Sequence, residues 1–242
     1  MARVKVIFLP LLAGASFRDR LLACLGALIG VGLVGLTCAA VFPASMPWIV
    51  APIGASTVLL FAVPASPLAQ PWSIVGGNSL SALVGVCVVL SIADPVVAAA
   101  VAVSAAILLM SLLRCLHPPG GAAALSAVLA APLVMSDGGA RFLLLVAVNS
   151  ILLTAAGWIF HRYSGHSYPH RPEPVEGRAL PPAPATGLLM EDIDAALGDL
   201  GETFDIGRED LALLLGRAEL HAERRRDPGR DPGFELDARA KA

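Results

Sequence analysis

Residues 114–125 read RCLHPPGGAAAL and set a histidine, two prolines and two glycines into the middle of an apolar region. Proline suits the first turn of a helix, because its missing N–H would have no partner there. Pro118 and Pro119 therefore predict a helix start. The next amides, on Gly120, Gly121 and Ala122, are expected to leave that start unpaired and to carry the positive end of the helix dipole. Glycine lets a ligand approach the backbone, so the start has the character of an anion site. Free amides in hydrocarbon are tolerated only where they meet protein or line a cavity, so the break predicts a cavity. His117 stands directly before this start and is the only ionisable side chain from Leu116 to Ser136. An ionisable residue inside a membrane is a functional candidate. Neutral, its imidazole donates one hydrogen bond; protonated, it adds a charge that favours an anion. Proton-coupled uptake is open to it, as is a plain capping role.

A second stretch, PIGASTVLLFA from Pro52, echoes PGGAAALSAVLA from Pro119. Pro52 matches Pro119, Gly54 matches Gly121, Ala55 matches Ala122, and Ser56 matches Ala123. Gly54, Ala55 and Ser56 would supply a second set of amides, with the Ser56 hydroxyl added. Asn78, behind Gly76-Gly77, is a further polar candidate, or equally hydrogen-bonding glue between helices. Asn149 reads better as hydrogen-bonding glue between helices. Arg114 either snorkels to the interface or adds field to an anion path. His161, His166 and His170 straddle the end of an apolar run and read as interfacial. The four cysteines have no CxxC spacing and no paired histidines, so they read as packing thiols. No metal and no cofactor is called for.

These residues must be held by membrane helices. Of 242 residues, 56% are hydrophobic and 15% charged, against about a quarter charged in a soluble domain. The segments Leu21–Ala93, Pro95–Leu113 and Phe142–Phe160 contain no Asp, Glu, Lys, Arg or His. Such runs are read as bilayer-spanning helices of about 20 residues each. The fold class is all-α, a polytopic transmembrane helical bundle. Six segments are predicted, at 21–42, 46–64, 74–92, 96–115, 118–133 and 141–161, with the second and fifth short or broken. The echo makes each of these two the middle of a three-segment group, so two inverted repeats are expected, an architecture common in transporters. If both middle segments were re-entrant, four crossings would remain and Arg114 would lie outside. Basic residues before the first segment and, as Arg162 and Arg171, after the last place both termini in the cytoplasm of a bacterial inner membrane, with Arg141 the one misplaced charge. A net charge of −2 gives no reason to expect nucleic-acid binding. The lipid bilayer is the one certain surrounding.

The organisation is then a basic leader at 1–20, a membrane domain at 21–162 and a Pro-rich linker at 163–186. A cytoplasmic helical hairpin follows at 187–226, then a tail at 227–242 with the composition of disorder. Acidic residues open each hairpin helix (Glu191 and Asp192; Glu209 and Asp210), which suits the dipole. So small a hairpin has little core of its own and must pack on something else, a homo-oligomeric second copy being one choice.

HPPGGAAAL and PIGASTVLLFAVPASPLAQPWSIVGGNSLSALVG together resemble the HPP family of integral membrane proteins, over roughly residues 18–162. The resemblance implies a multi-span membrane protein and a transporter. Relatives in plant plastids and cyanobacteria are linked to nitrite transport. Longer bacterial members carry paired CBS domains after a segment similar to MEDIDAALGDLGETFDIGREDL; no CBS repeat follows it in this sequence. Asn78 occupies a position where the family often has histidine, which removes one partner from a two-histidine proton relay. The lead reading is a transporter or channel for a small inorganic anion, nitrite by resemblance, and not an enzyme. Its binding residues would be His117, Gly120, Gly121, Ala122, Gly54, Ala55, Ser56 and Asn78. The alternative is a membrane-anchored regulatory or scaffold protein acting through its tail. An intramembrane enzyme finds no carboxylate, metal cluster or nucleophile–base pair within the spans.

Overall fold

The structure, a computed structural model, describes residues 17–42, 47–137, 139–171, 189–200 and 205–226. The start of the predicted leader, most of the linker and the final tail lie outside these residues. Among the described residues all regular structure is helical. The membrane part comprises α1 (Phe17–Val41), α2 (Pro52–Ala62), a single 3₁₀ turn (Pro67–Ala69), α3 (Pro71–Ser91), α4 (Pro95–Leu112), α5 (Pro118–Leu129), α6 (Ala131–Asp137) and α7 (Ala140–Ser164). The tail adds α8 (Met190–Leu200) and α9 (Arg208–Arg226).

Proline sets the phase of the membrane part. α2, α3, α4 and α5 all begin on one: Pro52, Pro71, Pro95 and Pro118. At each start the missing N–H removes an orphan donor, and the fixed φ suits the first turn. Asp94 completes the start of α4, its carboxylate accepting from the amides of Val96 and Val97 at 2.9 Å each. α1, α3, α4 and α7 are each long and apolar enough to cross a membrane. α2 and α5 rise only about 16 and 18 Å, roughly half the hydrocarbon thickness of about 30 Å.

Contacts fix the direction of each helix. α5 runs with α3, since Gly77 packs on His117 and Gly85 on Ala124 and Ala127. α3 opposes α7, because Asn78 meets Ser150 while Val86 meets Gly139. α2 runs with α7: Val50 bonds Asn149, and Leu60 bonds His161. α1 opposes α7, with Cys38 at Asn149, Gly30 facing Leu153 and Asp19 beside His166. The end of α4 returns to the start of α3, where Trp72 donates to the Leu113 carbonyl at 3.1 Å. α1 and α3 therefore point one way, and α4 and α7 the other. Between each like-directed pair the chain must come back across the helical layer. Among the described residues it does so through 47–62 in the first case and through α5–α6 in the second, so it traverses the layer six times. Four passages are made by long helices. Arg114 consequently lies on the tail side. The four-crossing arrangement, with Arg114 on the far side, is not what forms.

The first return is only half helical, and Asn149 of α7 serves its irregular part. Its Oδ1 accepts from the Val50 amide at 3.1 Å, and its Nδ2 donates to the Trp48 carbonyl at 3.4 Å and to the Cys38 thiol at 3.2 Å. That gives non-helical backbone the partners it needs at membrane depth.

The core gathers small residues. On α3, Gly77, Ser81 and Gly85 form one stripe against α5. A Cβ added at Gly77 would stand 2.6 Å from the His117 Cβ and 2.7 Å from the Cys115 carbonyl oxygen. Gly26 and Gly30 of α1 take the Phe61 ring, whereas Gly32 faces open space. Close approach of this kind is how helices associate in lipid, where hydrophobic burial gives no advantage. Gly77→Ala is therefore expected to destabilise the fold by about 1–3 kcal/mol, while Gly32→Ala stays neutral or gains slightly. Unfolding midpoints in detergent check the pair.

Candidate functional site

The site begins at the end of α4. Cys115 N donates to the Met110 carbonyl at 2.9 Å, and Arg114 N to Ser111 at 3.3 Å, the two bonds of a Schellman ending. The residue that must turn left-handed there is Arg114, at φ 54°, a position usually given to glycine. Cys115, fully buried, packs behind the turn. The chain then extends through His117 (φ −144°, ψ 107°) into α5 at Pro118.

His117 is wholly buried and bonded at both ring nitrogens. Nδ1 lies 2.8 Å from the Leu68 carbonyl oxygen, and Nε2 lies 2.8 Å from Ser56 Oγ. A carbonyl can only accept, so Nδ1 carries the proton. In the neutral ring Nε2 is then an acceptor, and Ser56 donates to it. Asn78 Nδ2 donates onward to Ser56 Oγ at 3.1 Å and to Ser150 Oγ at 3.2 Å. Ser56, Asn78 and Ser150 are as fully buried as the histidine. Ser150 lies ten residues from the start of α7 and fourteen from its end, so the network is near mid-depth. Two groups beside it remain unpaired: Asn78 Oδ1 and Ser81 Oγ.

The Leu68 carbonyl belongs to the connection between α2 and α3, whose backbone is held throughout. Gln70 Nε2 donates to the carbonyls of Pro64 and Ser66 at 3.0 and 2.8 Å, and Ser73 donates to Pro67 at 2.9 Å. Tyr168, beyond α7, donates to Ala69 at 3.0 Å. Burial pushes its phenol far above the ordinary range, so it remains a donor. The tail closes over the same connection. Ser66 Oγ donates to the Asp205 carboxylate at 2.8 Å, while the His170 amide donates to Gln70 Oε1 and its ring reaches Asp210, both at 2.8 Å. A cavity of about 330 Å³ lies at this junction, lined by Gln70, His170, Arg208 and Asp210 among others. The hairpin thus covers part of its surface with its own membrane domain.

Of the residues expected at the site, His117, Ser56 and Asn78 come together, and they do so across the two echoing segments. The others take different places. Gly120 is buried against α3, facing Ser81 and Met110. Gly121 is half-buried, and Ala122, Gly54 and Ala55 face outward. The expectation of free amides needs correcting at Gly120 and Gly54. Gly120 N donates to the His117 carbonyl at 2.8 Å, and Gly54 N donates to Ala51 at 3.1 Å. With Pro118 and Pro119 lacking N–H groups, the first three positions of α5 offer no free donor. The expectation that no nucleophile–base pair lies within the spans is also corrected, since Ser56 and His117 form one by distance. Ser150 and Leu68 were missed because only the folded chain brings them near; a lone serine in an apolar run and a backbone carbonyl carry no sequence signal. Among the described residues no cluster of three His, Cys, Asp or Glu could hold a metal ion. His161 is buried at the end of α7, with Nε2 donating to the Leu60 carbonyl at 2.9 Å.

The left-handed turn yields a direct check. Arg114→Gly should stabilise the protein by roughly 1 kcal/mol, and Arg114→Val should destabilise it by at least as much. Thermal unfolding in one detergent compares the two.

No curated protein and no solved structure matches the chain. The family model described as HPP, transmembrane region, matches residues 13–169. That range takes in all of α1 to α7, the Leu68 connection, the network around His117, and Tyr168. It ends before α8, so the tail lies outside it. This chain is an integral membrane protein of the HPP family.

Proposed function

We propose that this chain carries a small inorganic anion across the bacterial inner membrane, nitrite being the first candidate, with both termini in the cytoplasm. The observation that supports it most is the meeting of two half-length helices at a wholly buried polar network. α2 and α5 run in opposite directions, as the inverted-repeat reading requires. α5 begins directly after His117 and α2 begins about one turn from Ser56, so the positive ends of both dipoles lie close to the network. Half-helices of this kind near mid-depth are how many transporters hold their substrates. Arg18, Arg20, Arg114 and Arg162 share one face, in keeping with a cytoplasmic tail side. The link of plastid and cyanobacterial relatives to nitrite favours that anion over others.

Transport is favoured over catalysis, although Ser56 and His117 resemble a nucleophile and its base. Both are fully buried, and Ser56 also accepts from Asn78, which ties it into a network instead of presenting it to a substrate carbonyl. The scaffold alternative draws on the tail, whose helices lie on the connection between α2 and α3.

Proteoliposomes holding the full chain should take up nitrite faster than protein-free vesicles. His117→Ala should lower that rate by roughly ten- to hundredfold, the factor expected from losing two buried hydrogen bonds. No flux of nitrite, nitrate, formate or chloride would sink the transport reading. Deleting 187–242 should leave uptake in place, with a changed rate; if uptake vanished while the membrane domain stayed folded, the tail would hold the function.

A further inference from the structure

We infer that each anion crosses together with one proton, so that the species moved is electrically neutral, the equivalent of a small weak acid. The inference rests on reading the His117 network as the transport site, and it specifies what that site accepts.

The balance of donors and acceptors carries the inference. Helix starts were expected to offer bare amides, but Gly120 and Gly54 have spent theirs on His117 and Ala51, and Ile53 donates to Val50; Pro118 and Pro119 have no N–H. Both hydrogens of the Asn78 amide are committed to Ser56 and Ser150. Its Oδ1, fully buried, has no partner and can only accept. The neutral His117 ring, fixed by Leu68, also turns an acceptor toward Ser56. Among the side chains of the network the hydroxyls are the remaining donors. A bare anion in this place would meet the negative end of an amide dipole and no full positive charge.

The surrounding elements supply no permanent cation. α2, α3, α4 and α5 contain no Asp, Glu, Lys, Arg or His. Of the charged residues and histidines of α7, Arg141 is nine positions from Ser150, and His161 and Arg162 are eleven and twelve away, about 13–18 Å along the helix. Arg114 is exposed at the α4 turn, Cys115 is buried behind it, and Tyr168 is buried with its hydroxyl on the Ala69 carbonyl, next to Leu68. The charged residues of α1, Arg18, Asp19 and Arg20, lie in its first turn on the tail side.

A proton corrects the imbalance at one atom. Placed on His117 Nε2, it reverses the bond to Ser56: the ring now donates, Ser56 accepts, and the Ser56 hydroxyl hydrogen is released toward the ligand. The imidazolium supplies one positive charge beside the anion. If the proton stays on the substrate, its O–H meets Asn78 Oδ1 and its oxygen accepts from Ser81. In either arrangement one proton arrives with the anion and leaves with it. No bond of the anion forms or breaks.

The test uses the full chain in vesicles enclosing a pH-sensitive dye, with nitrite as the probe and protein-free vesicles subtracted for passive leakage of nitrous acid. The expected result is one proton delivered per nitrite. The rate should follow an imposed pH gradient and ignore a membrane potential set with potassium and valinomycin. Flux driven by the potential with no accompanying proton overturns this inference and leaves the transport reading standing. Absence of any protein-dependent flux overturns both. His117→Gln provides a donor at every pH and separates the two arrangements. Residual flux of the folded variant that responds to potential and carries no proton puts the coupled proton on His117 Nε2; flux that still moves one proton per anion puts it on the substrate.

Discussion

A backbone carbonyl at membrane depth must have a donor, and much of this fold follows from how that demand is met at Leu68. In hydrocarbon an unpaired peptide group costs several kcal/mol. The turn between α2 and α3 cannot supply all its own partners, so the ring of His117 comes from 49 residues away to bond Leu68. That single bond fixes which ring nitrogen holds the proton. The tautomer in turn sets the direction of the Ser56 hydrogen bond, and Ser56 then receives from Asn78. The prolines that start α5 and the small residues of α3 serve the same end. They let the His117 backbone come within reach of Gly77, where any side chain would collide.

The network is thus structural and chemical at once. A histidine that only capped a turn would need one partner; this one has two, on different elements. Asn149 gives a useful contrast. It too bonds irregular backbone, at Trp48 and Val50, yet it leads to no further polar chain beyond the Cys38 thiol. Two polar side chains answer the same physical demand, and one of them is titratable and linked onward.

Much of the architecture was legible in the sequence, because charge-free runs and prolines are unambiguous in a membrane setting. The six apolar segments are found close to their expected places, and α5 starts on its prolines. The meeting of Ser56 with His117 was foreshadowed by the echo of two short motifs. The state of the amides was not. Whether a helix start leaves N–H groups free depends on a turn bond back to the preceding residues, as at Gly120, and such a bond has no sequence marker. Arg114 in a left-handed turn was equally hidden, since glycine is the residue that would have announced it. Contacts between distant elements, such as Tyr168 with Ala69 or Asp205 with Ser66, exist only once the bundle has placed its ends.

The Asn149 clamp also bears on how the protein is made. Residues 48–50 are synthesised about a hundred residues before the side chain that satisfies them, and α2 is too short to cross a bilayer alone. When α1 and α2 leave the ribosome, the first return therefore has no stable place in lipid. It must wait at the interface or in a protein-lined channel until α7 arrives. Insertion of this chain is then not a succession of independent spans: the second passage can settle only after the last has been delivered.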